Sequence, residues 1–217
     1  MKTYRIPKIS EPPALDGTPS GHLWETTSGV LLVDCVSGEK PKLATQVRLL
    51  WDDDYLYVGY EVEDNRIIAN FTKRDEPLWQ EDVVELFLSP SGSEHYYYEF
   101  NFSPREVILD LIVLNDGGHA GEGRGELVSF ADRDVKGLRV STHIHENQNW
   151  SATVAIPFRE LHFAGNQPPA PGDEWRANLC RIEYGEAEEE YSTWSPTGLV
   201  DFHTSEKFGV MVFDGFR

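Results

Sequence analysis

The stretch that decides the fold class is residues 47–64, which read VRLLWDDDYLYVGYEVED. Apolar side chains recur at every second position of its second half, at Leu56, Val58, Tyr60 and Val62. The first half does the same at Val47, Leu49 and Trp51. A period of two is typical of strands with one buried face, and the three aspartates between the halves are turn residues. Residues 47–64 therefore predict a β-hairpin.

Similar short stretches follow along the chain and raise the expected count to about ten strands. They are DVVELFLSP (82–90), HYYYEFNFSP (95–104), REVILDLIVL (105–114), GLRVSTHIH (137–145), WSATVAIP (150–157), WRANLCRIEY (175–184) and KFGVMVF (207–213). Because little of the chain has a helical period, we predict an all-β, antiparallel two-sheet β-sandwich of the immunoglobulin or jelly-roll kind. Residues 1–217 are predicted to form a single domain. The glycine-rich stretch GHAGEGRGE (118–126) is predicted to be a loop and not a nucleotide site, since no helix pattern follows it.

The composition limits the classes of ligand and partner that the chain is expected to bind. The chain has 37 acidic and 19 basic residues, for a formal net charge of −18. This balance disfavours nucleic acid and anionic membranes, which require clustered lysine and arginine. It permits a neutral polar ligand or calcium.

The N-terminus and the cysteines leave the compartment open. The first ten residues, MKTYRIPKIS, contain no apolar core of a signal peptide, and no apolar stretch is long enough to span a bilayer. The expectation is a cytoplasmic protein, or an extracellular or periplasmic one whose leader was removed. Cys35 and Cys180 allow one disulfide, which the sequence does not decide.

Several stretches together resemble the family 9 carbohydrate-binding modules. They are ALDGTPSGHLW (14–24), residues 47–64, LWQEDVVELFLSP (78–90), VAIPF (154–158), PGDEWRANLCRIE (171–183) and WSPTGLVDFHTSEKFG (194–209). The resemblance runs in order from about Leu15 to Phe213. It implies a β-sandwich that binds carbohydrate without cleaving it, at the end of a glycan, with structural calcium ions and no organic cofactor.

The resemblance also implies site residues. Trp79 and Phe202 match the two aromatic positions that clamp a sugar, and Glu85 matches a polar position that binds its hydroxyls. The chain departs from the best-known members at Phe202, where they have tryptophan. It departs also at Glu99, where arginine can occur, and at Cys180, near a position that can carry glutamine.

The residues themselves give partial support to these roles. An indole offers a flat apolar surface that can cover the C–H face of a pyranose, although a core role for Trp79 is the alternative. Glu85 alternates with Val84 and Leu86 and is predicted to point outward, where a carboxylate can accept hydrogen bonds from two hydroxyls. The other polar candidates are Asn101, Glu99 and Arg181, the last of which could instead form an internal ion pair.

Carboxylates suggest a metal site. Asp64, in EVEDN, is the first candidate for calcium because hard oxygen donors suit this ion. The run Asp52, Asp53 and Asp54 is interpreted as a charged hairpin tip. His143 and His145 share a strand face but lack an identifiable third ligand.

Three alternatives to sugar binding stay open. A haem-binding electron-transfer domain would need axial ligands such as Met211 or a histidine. A structural or interaction domain could retain only a degenerate sugar site. A glycoside hydrolase component would need two carboxylates, for which Glu85, Glu99 and Asp110 are available. The prediction is a non-catalytic module that binds a mono-, oligo- or polysaccharide, with a glycoside hydrolase as its catalytic partner.

Overall fold

The computed structural model describes residues 1–117, 127–185 and 189–216. The stretch 118–126, predicted to be a loop, lies outside them. The strands are β1 (Thr3–Ile6), β2 (Val30–Leu31), β3 (Val33–Asp34), β4 (Thr45–Trp51), β5 (Tyr55–Val62), β6 (Val83–Ser89), β7 (Tyr96–Phe102), β8 (Ile108–Asn115), β9 (Leu127–Phe130), β10 (Arg139–Ile144), β11 (Trp150–Pro157), β12 (Glu174–Tyr184), β13 (Glu189–Thr193) and β14 (Gly209–Phe213). Helix is limited in these residues to α1 (His22–Glu25) and three 3-10 turns, Leu78–Gln80, Phe158–Glu160 and Ser205–Lys207.

These strands form two sheets, which confirms the predicted β-sandwich. The larger sheet has nine strands in the order β1-β14-β12-β6-β7-β8-β9, with β13 beside β12 and β3 beside β13. The smaller sheet has five strands in the order β10-β11-β5-β4-β2. The described residues thus contain fourteen strands where about ten were expected. One pair also departs from the antiparallel pattern, because β1 runs parallel to β14.

The core lies between the two sheets, where the predicted inward faces meet. Val84, Leu86 and Leu88 of β6 are fully buried there. The inward residues predicted for the hairpin are buried in the same cluster, from Val47 to Val62. Period-two alternation therefore assigned these faces correctly, since burying apolar surface decides which side of a strand points inward.

The outer face of the smaller sheet is covered by the N-terminal segment. Trp24 of α1 is buried against Leu50 and Tyr57. Gly59 makes this approach possible, because a Cβ at that position would lie 2.4 Å from Pro19 Cβ and 2.9 Å from the Trp24 ring. No helix in the described ranges is long and apolar enough to cross a membrane.

The outer face of the larger sheet is also covered, but not completely. A second apolar cluster joins Val83 and Phe87 of β6 to Leu78, Phe202 and Phe208 from two loops. One loop precedes β6 and the other precedes β14. The gap that remains between these loops is the candidate functional site.

Candidate functional site

A pocket of about 310 Å³ opens between the two loops on the outer face of the larger sheet. Its floor comes from neighbouring strands, with side chains of Glu85, Phe87, Glu99, Leu111 and Ile182. Its walls come from the loops and from β9 and β13, with side chains of Trp79, Leu127, Ser129, Tyr191, Val200, Asp201, Phe202 and His203. The volume is at the lower end of the range for small-molecule sites.

Trp79 stands at the mouth of this pocket. It lies in the 3-10 turn Leu78–Gln80, in which Leu78 is 1% exposed and Trp79 is 44% exposed. Leu78 therefore anchors the turn in the apolar cluster while the indole faces outward. The Trp79 carbonyl also accepts a hydrogen bond of 2.9 Å from the Tyr184 hydroxyl. The alternative core role of Trp79 does not agree with this exposure.

Phe202 lies in the opposite wall and is only 7% exposed. Its ring makes edge contacts with Phe87, at 6.3 Å between centroids, and with Tyr191, at 6.1 Å. The ring is thus fixed in the apolar cluster and presents only a small part of its surface to the pocket.

Glu85 points to the outer face as predicted, but it is largely buried. Its side chain lies on the pocket floor and the residue is 2% exposed, because the two loops cover this face. Neither carboxyl oxygen of Glu85 forms a hydrogen bond with another described residue. Burial, and secondly the nearby Glu99, raise the pKa of the Glu85 carboxyl well above its usual value.

Glu99 and Asn101 share this strand face with Glu85. Glu85 pairs with Asn101 across β6 and β7, and Phe87 pairs with Glu99. Asn101 Nδ2 donates a 3.0 Å hydrogen bond to Glu99 Oε1. Burial raises the pKa of Glu99, while His203 and the Asn101 amide partly oppose the rise. Asn101 is fully buried and positions Glu99 without lining the pocket.

His203 is a pocket residue that the sequence analysis did not select. Its Nδ1 lies 2.9 Å from the Tyr97 hydroxyl, and its Nε2 lies 3.8 Å from Glu99 Oε2. Asp201 accepts a 2.8 Å hydrogen bond from the backbone N–H of His203. The available signal was position, since Asp201 and His203 flank Phe202 in the stretch 194–209.

Arg181 does not reach the pocket. Its neighbours Cys180 and Ile182 face the outer cluster, so Arg181 points to the opposite side of β12. It forms ion pairs with Asp64, at 3.5 Å, and with Glu183. The internal ion pair considered from the sequence is the arrangement present, and the sugar-binding role proposed for Arg181 is wrong for this pocket.

Asp64 belongs to a buried carboxylate cluster at one end of the sandwich. Ligand atoms of Asp64, Asp82 and Glu183 lie within 4.8 Å of one another. Burial raises the pKa of Asp82 to about 6 and that of Glu183 to about 8. Glu183 Oε1 is buried and has no hydrogen-bond partner in the described part of the chain. Three carboxylates against one guanidinium leave the cluster net negative, and an orphaned oxygen fits a hard cation.

The comparison with known families decides the identity of this fold. Residues 15–215 match the family described as carbohydrate family 9 binding domain-like. The chain belongs to that family. This family 9 domain has the site described above on the outer face of its larger sheet.

Solved structures share the fold of this chain. A family 9 carbohydrate-binding module of Caldicellulosiruptor kristjanssonii in complex with glucose has a TM-score of 0.68 and 14% identity, over 100% of this chain and 97% of that one. A Bacteroides uniformis protein has a TM-score of 0.71 and 18% identity, over 98% and 99% of the two chains. At these identities the likeness shows the fold.

The sequence relatives are much longer proteins. Endo-1,4-beta-xylanase A of Thermotoga maritima is 34% identical over 88 residues, which cover 40% of this chain and 8% of the xylanase. Endo-1,4-beta-xylanase C of Paenibacillus barcinonensis is 29% identical over 124 residues, which cover 57% of this chain and 10% of the xylanase. The aligned segment is therefore a small part of each relative.

Other candidate residues of the family 9 domain lie away from the pocket. Asp110 is paired with Arg74 and accepts a 2.6 Å hydrogen bond from the Val135 N–H. Met211, considered as a haem ligand, is fully buried in the core between the sheets. Asp52 Oδ1 accepts 2.8 Å hydrogen bonds from the N–H groups of Asp54 and Tyr55, which closes the hairpin tip.

The two cysteines are free and buried. Strand β13 separates them, because Cys180 pairs with Thr193 on one edge of β13 while Asp34, next to Cys35, pairs with Ser192 on its other edge. A disulfide would require this strand to be displaced, since neighbouring strands lie about 4.8 Å apart and bridged Cα atoms at most about 7 Å apart.

Proposed function

We propose that this family 9 domain binds a mono- or oligosaccharide without cleaving it, with the sugar seated in the pocket between Trp79 and Phe202. The observation that carries the proposal is the half-exposed indole of Trp79 beside a pocket floor that carries the largely buried carboxyl groups of Glu85 and Glu99. A pyranose has an apolar C–H face and a rim of hydroxyls, and the pocket has surfaces of both kinds. Membership of the family supports the same assignment.

The energetics of such a site are modest. Sugar hydroxyls exchange hydrogen bonds to water for hydrogen bonds to protein, so each contributes about 0.5–1.5 kcal/mol net. Apolar contact with Trp79 supplies the remainder. Glu85 and Glu99 would bind hydroxyls, and Phe202 would limit the depth to which the ring enters. Membership of the family favours one terminal sugar residue of a glycan as the bound unit.

The ligand class and the partner follow from the relatives. Glucose is bound in the Caldicellulosiruptor structure named above, and cellotriose in a second one. The two sequence relatives named above are xylanases. We therefore propose β-1,4-linked glucose or xylose oligosaccharides as the first ligands, and a polysaccharide-degrading enzyme as the functional partner. Release of reducing sugar by the purified domain would contradict the non-catalytic assignment.

We also propose that Asp64, Asp82 and Glu183 hold a structural calcium ion. The donor set is all oxygen, the cluster is net negative, and Glu183 Oε1 lacks a partner in the described residues. The bound ion would neutralise the buried carboxylates. The three residues come from the end of β5, the residue before β6 and β12, so they would tie the two sheets together at this end.

Isothermal titration calorimetry against glucose, cellobiose, xylobiose and galactose, with and without chelator, tests the binding proposal. We expect saturable binding of at least one sugar. The chelator arm separates the two proposals, because the calcium cluster and the pocket lie on different faces of β12. Absence of heat for all four sugars, with a folded protein, would contradict sugar binding at this pocket.

A further inference from the structure

The titratable side chains that line the pocket are mostly acidic. Glu85, Glu99 and Asp201 line it, and neither lysine nor arginine does so among the residues that the structure describes. His203 is the single basic side chain there, and both of its ring nitrogens face other groups, the Tyr97 hydroxyl and Glu99. The described lining of the pocket therefore offers no lysine or arginine as a partner for carboxylate, sulfate or phosphate substituents.

The Glu85 carboxyl on the pocket floor lacks a hydrogen-bond partner in the part of the chain that the structure describes. Glu85 is 2% exposed, it lines the pocket, and its carboxyl forms no hydrogen bond with the described residues. Glu99 beside it has the Asn101 amide at 3.0 Å and His203 at 3.8 Å. Burying a carboxyl without a partner is unfavourable. A cationic ligand group with several hydrogen-bond donors would supply the missing partner of the Glu85 carboxyl.

We propose that the pocket prefers a sugar with a free primary ammonium group, of the 2-amino-2-deoxyhexose class, and that the ammonium binds Glu85. This inference rests on the sugar-binding function proposed above. An ammonium offers three donors and a full positive charge, whereas a hydroxyl offers one donor and none. A bound ammonium also opposes the effects of burial and of Glu99 on the Glu85 carboxyl, so the complex favours the ionised carboxylate.

The walls distinguish an amino sugar from a simple amine. Trp79, Val200 and Leu127 expose 44%, 56% and 41% of their surfaces around the pocket. They provide apolar contact for a pyranose ring, with the flat face supplied by the Trp79 indole, and an alkylamine of a few carbons cannot cover this surface. The carboxyl groups of the floor thus select the ammonium group, and the apolar side chains of the rim select the sugar ring.

Calorimetry with D-glucosamine, glucose, N-acetylglucosamine and n-butylamine tests the proposal, at about pH 6, where a primary amine is protonated. A charge-assisted hydrogen bond contributes about twice as much as a neutral one, so glucosamine should bind about tenfold tighter than glucose. Glu85→Gln should bring this ratio close to one. Glu146→Gln is the matched control, because it removes the same charge from an exposed residue outside the pocket, and it should keep the ratio.

Each contrary result has a separate meaning. If glucose binds and glucosamine binds equally or more weakly, the ammonium proposal is wrong and the sugar-binding function stands. If N-acetylglucosamine matches glucosamine, the site recognises the 2-substituent and not its charge, which also overturns the proposal. If n-butylamine matches glucosamine, the sugar ring is irrelevant and the proposal fails. If nothing binds, the proposed function fails together with it.

Discussion

Replacing Trp79 by alanine tests the site most directly, because the structure gives the expected size of the effect. Trp79 is 44% exposed. A tryptophan offers at most about 250 Å² of surface, so about 110 Å² of it is open to a ligand. A pyranose that covers half of this area removes roughly 55 Å² of indole and a similar area of sugar from water. At about 25 cal/mol per Å², the contact stabilises the complex by about 2.8 kcal/mol.

The expected result of Trp79→Ala is therefore a dissociation constant raised by up to about 100-fold, since about 1.4 kcal/mol corresponds to a factor of ten. Calorimetry with the tightest sugar of the panel measures this change. The matched control is Phe216→Ala, which removes an aromatic ring that is 64% exposed and does not line the pocket. It should leave the affinity unchanged.

Circular dichroism of the same variant separates binding from folding. Leu78, and not Trp79, anchors the turn Leu78–Gln80 in the apolar cluster. Trp79→Ala should therefore keep a cooperative melting transition. An affinity equal to that of the wild type would show that the sugar does not stack on the indole. Loss of the folded state would show that Trp79 acts as a core residue.

The remaining predictions concern stability. Leu78→Ala should lower the free energy of unfolding by about 2–5 kcal/mol in a denaturant titration, because it leaves a cavity in the outer apolar cluster. An unchanged midpoint would show that Leu78 does not anchor this turn in the cluster. Burial raises the pKa of the Glu85 carboxyl above its value of about 4.5 in the unfolded chain, so the folded state holds this proton more tightly. The free energy of unfolding therefore falls as the pH rises above about 4.5. Glu85→Gln should reduce this fall and raise Tm at pH 8, as followed by calorimetric melting; a lower Tm at pH 8 would mean that the ionised carboxylate has a partner in the folded state. Calcium at 100 times its dissociation constant should add about 2.7 kcal/mol, which is about 5–10 °C in Tm for a domain of this size, and Asp82→Asn should abolish the response to chelator. An equal response of the variant and the wild type would place the ion elsewhere.

The sequence predicted the inward faces of the strands because hydrophobic burial and the period of two act locally. Val84, Leu86 and Leu88 could be assigned to the core from their spacing alone. The same pattern could not show that Glu85 is buried, because that depends on loops distant in the chain that fold over the outer face. Trp79 was found through the family resemblance, and its exposure depends on Leu78 being its anchor.

The errors have the same physical origin. Alternation places Arg181 on the face opposite Cys180 and Ile182, but the sequence did not show which of these faces held the pocket. The parallel pairing of β1 with β14 joins the two ends of the chain, and no local pattern predicts such a contact. Only the position of His203 beside Phe202 pointed to it, because its contacts are with Tyr97 and Glu99, which lie about a hundred residues earlier.

The position of Glu85 in β6 is itself an argument for a ligand. Its two neighbours on the same face, Val83 and Phe87, belong to the outer apolar cluster. An apolar residue between them would extend that cluster and would avoid the unfavourable burial of a carboxyl without a partner. A residue that contradicts its local environment in this way is expected at functional sites, where a ligand supplies the missing interaction. If Glu85→Gln stabilises the free domain and weakens its complex with sugar, the carboxyl is present for the ligand and not for the fold.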